Sequence, residues 1–367
     1  MKSRHYMIGV ATFAVAACFP TEGDVYLERL RLPDGFEISV YAEVPEARTI
    51  KLADDGVLYV GNRRAGNVYA AVDSDGDGFA ETVYTIASGL TMPNGIAIKN
   101  GSLFVAESHR VTRYDDIGNH LSDPPEPVIV VEGLPEEARH GWRYIDFGPD
   151  GRLYMSVGAP CNVCERPAPY ASIISMNADG SDRKTVARGI RNSVGFNWHP
   201  ETGELWFTDN GRDNLGDDSP PDELNRVIEE GLHYGFPYVH GGDILDPEFG
   251  KGRDPDDYVA PAKRLGPHVA ALGIEFYRGN SFPAQYSNQI FIAEHGSWNR
   301  TEKIGYRISL VRIDTEGVVT SYETFIDGWL EDEEAWGRPV DLENMPGGSL
   351  LISDDKAGVV YKVTYTG

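Results

Sequence analysis

Apolar runs of four or five residues recur along the chain, most led by a glycine and built on an aliphatic–aromatic or aliphatic pair. They are Gly56-Val-Leu-Tyr-Val, Gly101-Ser-Leu-Phe-Val, Gly151-Arg-Leu-Tyr-Met, Gly203-Glu-Leu-Trp-Phe, Gln289-Ile-Phe-Ile and Gly348-Ser-Leu-Leu-Ile. Runs this short, bounded by turn residues, have strand length rather than helix length. Several are followed by a second run that stops at a polar turn: Val68 to Val72 before Asp73, Val111 to Tyr114 before Asp115, Ile173 to Met176 before Asn177, and Leu310 to Ile313 before Asp314. Six degenerate copies spaced by roughly 45 to 85 residues predict a six-bladed β-propeller, an all-β ring of short antiparallel sheets. Closing the ring also protects sheet edges that would otherwise pair with other chains.

The early run Phe36 to Val44 has no glycine-led partner, so it is expected to complete the blade that ends at Tyr365. The wide interval between the fourth and fifth copies holds Asp243 to Arg264, rich in Pro, Gly and Asp, which reads as a long surface loop beside the site. No linker interrupts the pattern, and residues 23–367 are expected to form one domain.

Charge then narrows the partners. With 57 Asp+Glu against 33 Lys+Arg the formal net charge is −24. Binding to nucleic acid or to an anionic membrane surface draws on cationic contacts, and this balance argues against both. At the N-terminus Lys2, Arg4 and His5 precede an apolar run from Met7 to Ala17, the layout of a signal peptide and too short for an ordinary transmembrane helix. Val15-Ala16-Ala17-Cys18 resembles a bacterial lipobox, which implies removal of residues 1–17 and lipidation of Cys18; plain secretion is the alternative. Either predicts a periplasmic or otherwise extracytoplasmic protein, and only the first gives it a lipid anchor as its contact with the membrane. The remaining cysteines, Cys161 and Cys164, are followed by Glu165 and have no second pair, which excludes c-type haem attachment and a four-cysteine zinc site. A local disulfide pinning a loop is expected, with a redox-active dithiol as the alternative.

The chemistry concentrates in Gly189 to Asn225. Arg191 and Asn192 precede the strand Glu204 to Thr208, which leads into the turn Asp209-Asn210-Gly211 and an acidic stretch ending in Asp222-Glu223. This predicts a cation-binding turn beside an arginine near the ends of neighbouring strands. His140, in Arg139-His140-Gly141-Trp142-Arg143, stands at the corresponding place one blade earlier, and histidine is the usual general base for a hydroxyl proton. Separately, Asp73, Asp75 and Asp77 with Gly78 match the first half of an EF-hand loop. Tyr84 replaces its closing glutamate, leaving either a structural Ca2+ site completed by Glu81 or a solvated hairpin turn.

Taken together, His140-Gly-Trp-Arg143, Phe147-Gly-Pro-Asp-Gly-Arg-Leu-Tyr154, Gly189-Ile-Arg191-Asn192, Asp222-Glu-Leu-Asn225 and Tyr234-Gly-Phe-Pro237 resemble the glucose/sorbosone dehydrogenase family. That resemblance runs from about Leu32 to the C-terminus. It implies a secreted six-bladed propeller that uses pyrroloquinoline quinone (PQQ) and Ca2+ to oxidise a sugar or sugar aldehyde, with a cytochrome or a quinone as electron acceptor. By the same resemblance His140 is the general base and Arg191 the cation beside the reactive carbonyl of the cofactor. Asn210 belongs to the cofactor turn, and the backbone carbonyls of Gly211 and Arg212 hold the cofactor's Ca2+. Asp222, Glu223 and Tyr234 match a second calcium region. His295, Trp298 and Arg300 match a segment that packs on the cofactor, while Arg338 and Arg48 match carboxylate partners.

The chain also departs from the pattern. Arg139 replaces an acid, Pro93-Asn94 stands where a cofactor-binding glutamine is usual, Val340 replaces a second arginine, and Leu215 to Pro221 is inserted after the metal turn. Trp142, Trp198 and Trp298 are open to a core role as well as a cofactor role, and His199 and His268 receive none. Two other functions share this architecture: a Ca2+-dependent propeller hydrolase of the gluconolactonase or paraoxonase type, and a non-catalytic propeller that binds carbohydrate or protein.

Overall fold

A computed structural model describes residues 25–367. The candidate signal peptide and Cys18 lie outside the described residues. Six sheets of four or five strands follow one another along the chain, with two small hairpins added. The first sheet runs from Ile50–Leu52 to Thr82–Ala87, and the second from Gly95–Lys99 to Val128–Val131. The third runs from Ile145–Phe147 to Lys184–Arg188, and the fourth begins at Phe196–Trp198 and ends at Lys263–Pro267. The fifth spans Ala271–Phe276 to Val319–Ile326, and the sixth starts at Pro339–Asn344. The chain is an all-β, six-bladed propeller, as the repeat predicts.

Each glycine-led run is the second strand of its blade, at Leu58–Val60, Ser102–Ala106, Leu153–Val157, Leu205–Asp209, Ile290–Glu294 and Leu350–Asp354. These strands are paired on both edges and covered on both faces, which is why they are continuously apolar: Leu153–Val157 and Ile290–Glu294 are buried at every position. The outer strands alternate or are largely exposed, as in Thr82–Ala87 and Lys184–Arg188. Several of the first strands touch one another around the axis, including those of the first and second, fifth and sixth, and sixth and first blades.

Phe36–Glu43 pairs antiparallel with Val359–Tyr365, with Phe36 opposite Tyr365, so the ring is closed by a strand from each end of the chain. At this seam the Phe36 ring lies 4.8 Å from Phe282, 5.0 Å from Phe325 and 4.9 Å from Tyr365. Because this cluster joins the last two blades, Phe36→Ala is expected to cost about 3–5 kcal/mol in urea unfolding.

Asp243 to Arg264 is more ordered than a plain surface loop. Val239–His240 and Ile244–Leu245 form a hairpin, and the fully buried Asp246 carboxylate accepts from His240 Nε2 at 3.0 Å and from the amides of Glu248 and Phe249. The same carboxylate reaches Arg212 at 2.5 Å, tying this segment to the turn that carries Gly211.

The axis is layered. Trp142, Val194, Leu272 and Val340, from four blades, form a small apolar plug. Val340 therefore has a packing role in place of the arginine the family pattern has there. A few residues further along the same segments comes a polar layer. In it Lys51 Nζ lies 2.9 Å from Asp146 and 3.2 Å from Glu343, and Glu275 accepts from Asn197 at 2.5 Å and from Asn344. Burial would lower the Lys51 pKa, but Asp146, Glu343 and Glu275 outweigh it and raise it well above the usual value. Burial pushes Glu275 up to about 8.

Candidate active site

Against the plug lies a pocket of about 530 Å³, lined from several blades. Its charge is opposite to that of the chain as a whole: Arg48, Arg63, Arg64, Arg139, Arg191 and Arg338 line it against the carboxylates of Asp213 and Asp222. Gathering like charges at one concave site costs self-repulsion, and an anionic ligand relieves it.

His140 sits in this pocket, 7% exposed. Its backbone is left-handed, φ 50°, and Gly158 packs so closely that a Cβ there would stand 2.7 Å from His140 Cβ. Its Nδ1 lies 2.7 Å from the Ala159 carbonyl. A carbonyl only accepts, so Nδ1 carries the proton and Nε2 keeps its lone pair. Burial, followed by the nearby Arg191, lowers the His140 pKa to about 3. The ring is a neutral base held in one tautomer.

Arg191 is 4% exposed and heavily engaged. Nε donates to the Asn162 carbonyl at 2.9 Å, Nη1 to the Asn210 carbonyl at 3.1 Å, and Nη2 to Asn162 Oδ1 and Asp213 Oδ2, both at 3.0 Å. Its own amide and that of Asn192 are held by Asp209 at 2.8 and 2.7 Å. Arg191 therefore braces the Asn210 turn while its charge faces the pocket. Asn210 donates to the carbonyls of Asn192 and Ala271, linking two blades.

Arg48, 2% exposed, is aimed by Asn94 Oδ1 at 2.7 Å and Asp355 at 2.6 Å. The asparagine standing where a glutamine is usual thus positions an arginine. Asp355 also binds His295 Nε2 at 2.8 Å; burial, aided by Arg338, lowers the His295 pKa to about 4 even though Asp355 opposes it. Arg338 donates to the carbonyls of His295 and Gly296, fixing that corner. Beside it Trp298 is 70% exposed at the pocket. Trp198, by contrast, packs on Tyr154 and Phe196 in the core.

Several expected members stand elsewhere. Arg300 points away from the pocket and binds the inserted loop at Asp217 and Asp218, where His268 also holds the Gly216 carbonyl at 2.9 Å. The insertion is thereby clasped to the 295–301 segment. Asp222 and Glu223 lie on the strand Pro221–Arg226 rather than in a loop, so they face opposite ways. Asp222 accepts from the amides of Gly211 and Ala270, both at 2.7 Å; Glu223 accepts from Gly241 and Asn225. Tyr234 is core, donating to the Arg226 carbonyl and packing on Phe207. The three do not converge on one ligand set. Asp222 instead holds the Gly211 turn in shape, and burial pushes its pKa up to about 6. Gly211 lines the pocket, whereas the Arg212 side chain turns out to Asp246.

Asp73, Asp75 and Asp77 do gather with Glu81, their ligand atoms all within 4.8 Å of one another, in an outer turn of the first blade that does not line the pocket. Cys161 and Cys164 form a disulfide. Asp213 and Asn162 were not singled out in the sequence, since neither sits in a recognisable motif; an Asn between two cysteines was the only available signal.

Residues 127–361 match the family model for glucose/sorbosone dehydrogenase. The chain belongs to that family. An uncharacterized protein of Borreliella burgdorferi is 34% identical over 351 residues, which is 92% of this chain and 91% of that one. Among solved structures, the holo PQQ domain of pyranose dehydrogenase from Coprinopsis cinerea matches with a TM-score of 0.78 at 18% identity, covering 91% of this chain and 97% of that one. The PQQ-bound aldose sugar dehydrogenase of Streptomyces coelicolor matches with a TM-score of 0.65 at 17% identity, covering 91% and 99%. At these identities the likeness is one of fold.

Proposed function

We propose that the arginine-lined pocket binds PQQ with Ca2+, and that the protein oxidises an aldose or sugar aldehyde there. One observation carries this reading: six arginines converge on a concave site beside a neutral histidine, in a chain of net charge −24. PQQ is a small planar tricarboxylate, and the donor set fits it. Arg48 and Arg338, each aimed by fixed partners, would hold carboxylates, Trp298 offers an exposed ring face, and the Gly211 turn offers backbone oxygens to a cation. When bound, the cofactor supplies the hydride acceptor. His140 Nε2 would take the hydroxyl proton of the substrate, and Arg191 would place a fixed positive charge where negative charge develops.

The hydrolase alternative needs several side-chain acids or amides converging on one axial ion. Among the described residues the one group of three or more acidic or histidine ligands whose atoms all lie within 4.8 Å of one another is the exposed turn at Asp73, away from the pocket, and the axial acids Asp146 and Glu343 are occupied by Lys51. The N-terminal pattern and the Cys161–Cys164 disulfide support an extracytoplasmic, lipid-anchored placement.

The test is to add PQQ and Ca2+ to the purified protein and follow dye reduction with a panel of aldoses and sugar aldehydes; lactone hydrolysis without dye reduction would favour the hydrolase. A pH prediction goes with it. Because burial keeps His140 neutral, its ring nitrogens followed by NMR in the purified protein are expected to stay in the neutral Nδ1–H tautomer as pH falls from 7 to 5. Protonation at the ordinary histidine value of 6.5 would contradict the buried, neutral base.

A further inference from the structure

The loop after Leu153–Val157 touches both residues given chemical roles above. Ala159 accepts from His140 Nδ1 through its carbonyl and donates its amide to the Arg191 carbonyl at 2.8 Å. Three residues later, inside the disulfide, Asn162 uses all of its side-chain polar atoms. Its Oδ1 accepts from Arg191 Nη2 at 3.0 Å and from the Asp213 amide at 2.8 Å, and its Nδ2 donates to the Asp213 carbonyl at 3.0 Å. Its carbonyl takes Arg191 Nε. Asp213 in turn carries Arg139 and Asn299. The segment from Gly158 to Ser172 has no regular structure of its own until Ser172–Met176 begins.

We propose that Asn162 is a positioning residue for the oxidation and that the Cys161–Cys164 disulfide exists to hold it in place; this rests on the dehydrogenase reading above. An irregular loop left open samples many conformations, and a cross-link across Asn162 and Val163 restricts the short stretch it encloses, Asn162 included. Asn162 is thereby presented as a preformed receptor for one edge of the Arg191 guanidinium. The planar fork of arginine demands that kind of fixed partner if its charge is to stay aimed at the pocket. The bracket also sets Arg191 relative to His140, since Ala159 holds one and Asn162 the other.

The experiment compares wild type with Asn162→Ala, Asn162→Asp and the Cys161→Ser/Cys164→Ser double variant, each loaded with PQQ and Ca2+. Loss of one hydrogen bond to a charged group predicts a kcat about 10- to 100-fold lower in Asn162→Ala and in the double variant, with KM within about threefold. Asn162→Asp keeps the acceptor for Arg191 and is expected to recover part of the loss. A second readout does not need turnover: the Arg191 Nη2–H that Asn162 Oδ1 accepts, its resonance assigned with Arg191→Lys, should exchange slowly with solvent in wild type and fast in Asn162→Ala and the double variant. Wild-type kcat and slow exchange in both variants would overturn the proposal. If wild type itself reduces no dye, the dehydrogenase reading fails, and the Arg191 exchange still decides whether Asn162 and the disulfide position that side chain.

Discussion

Replacing His140 with asparagine or alanine is expected to lower kcat by about 10²- to 10⁴-fold while cofactor binding stays within a few-fold of wild type. The expectation rests on the tautomer. With Nδ1 committed to the Ala159 carbonyl at 2.7 Å, Nε2 is the only ring nitrogen free to accept a proton, and it lies in the pocket. Asparagine is the more informative variant, because the backbone at this position has φ 50° and asparagine tolerates the left-handed region better than most residues. A folded His140→Asn protein that binds PQQ but turns over slowly assigns the loss to proton abstraction. One that turns over normally removes His140 as the base, whatever the cofactor does.

The second large effect lies beneath the pocket and concerns folding. Lys51→Met is expected to destabilise the propeller by about 3–5 kcal/mol at pH 7, because it leaves the carboxylates of Asp146 and Glu343 buried and facing each other without their cation. The sign with pH follows from the shifts. The Lys51 pKa is raised above its unfolded value of 10.5, so its contribution is fully present below that pH and is lost only as pH rises through the folded value. Burial also raises the Glu343 pKa, so lowering the pH toward 5 favours protonation of Glu343 in the variant. The deficit of Lys51→Met in urea unfolding should therefore shrink from pH 8 to pH 5. A deficit independent of pH would mean that lost packing, not charge, is responsible.

These two residues show what a single sequence can and cannot carry. His140 was legible because it stands in a compact motif, just ahead of the strands of its own blade. The glycine-led runs were legible for a similar reason: each is the second strand of a blade, buried at every position except Ser102, and burial on both faces leaves a local apolar signature. Lys51 was not, because its partner Glu343 is 292 residues away and they meet only once the ring has closed. Asp213 and Asn162 were missed likewise, as their meaning depends on a loop folding back across 51 residues. Arg300 was misplaced for a different reason. Its motif neighbour Trp298 does line the pocket, but the inserted Leu215 to Pro221 loop supplies Asp217 and Asp218, which draw the guanidinium outward. Likewise Asp222, Glu223 and Tyr234 looked like one ligand set until the strand Pro221–Arg226 put the two acids on opposite faces.

Cofactor binding is the direct test of the arginine-lined pocket beside a neutral histidine. Purified protein would be titrated with PQQ at micromolar concentration, with and without Ca2+, following the cofactor spectrum and protein fluorescence. Saturable binding at one site is expected, strengthened by Ca2+ and weakened in Arg48→Ala and Arg338→Ala. Absence of saturable binding at micromolar PQQ with Ca2+ present, in a folded protein, would contradict it.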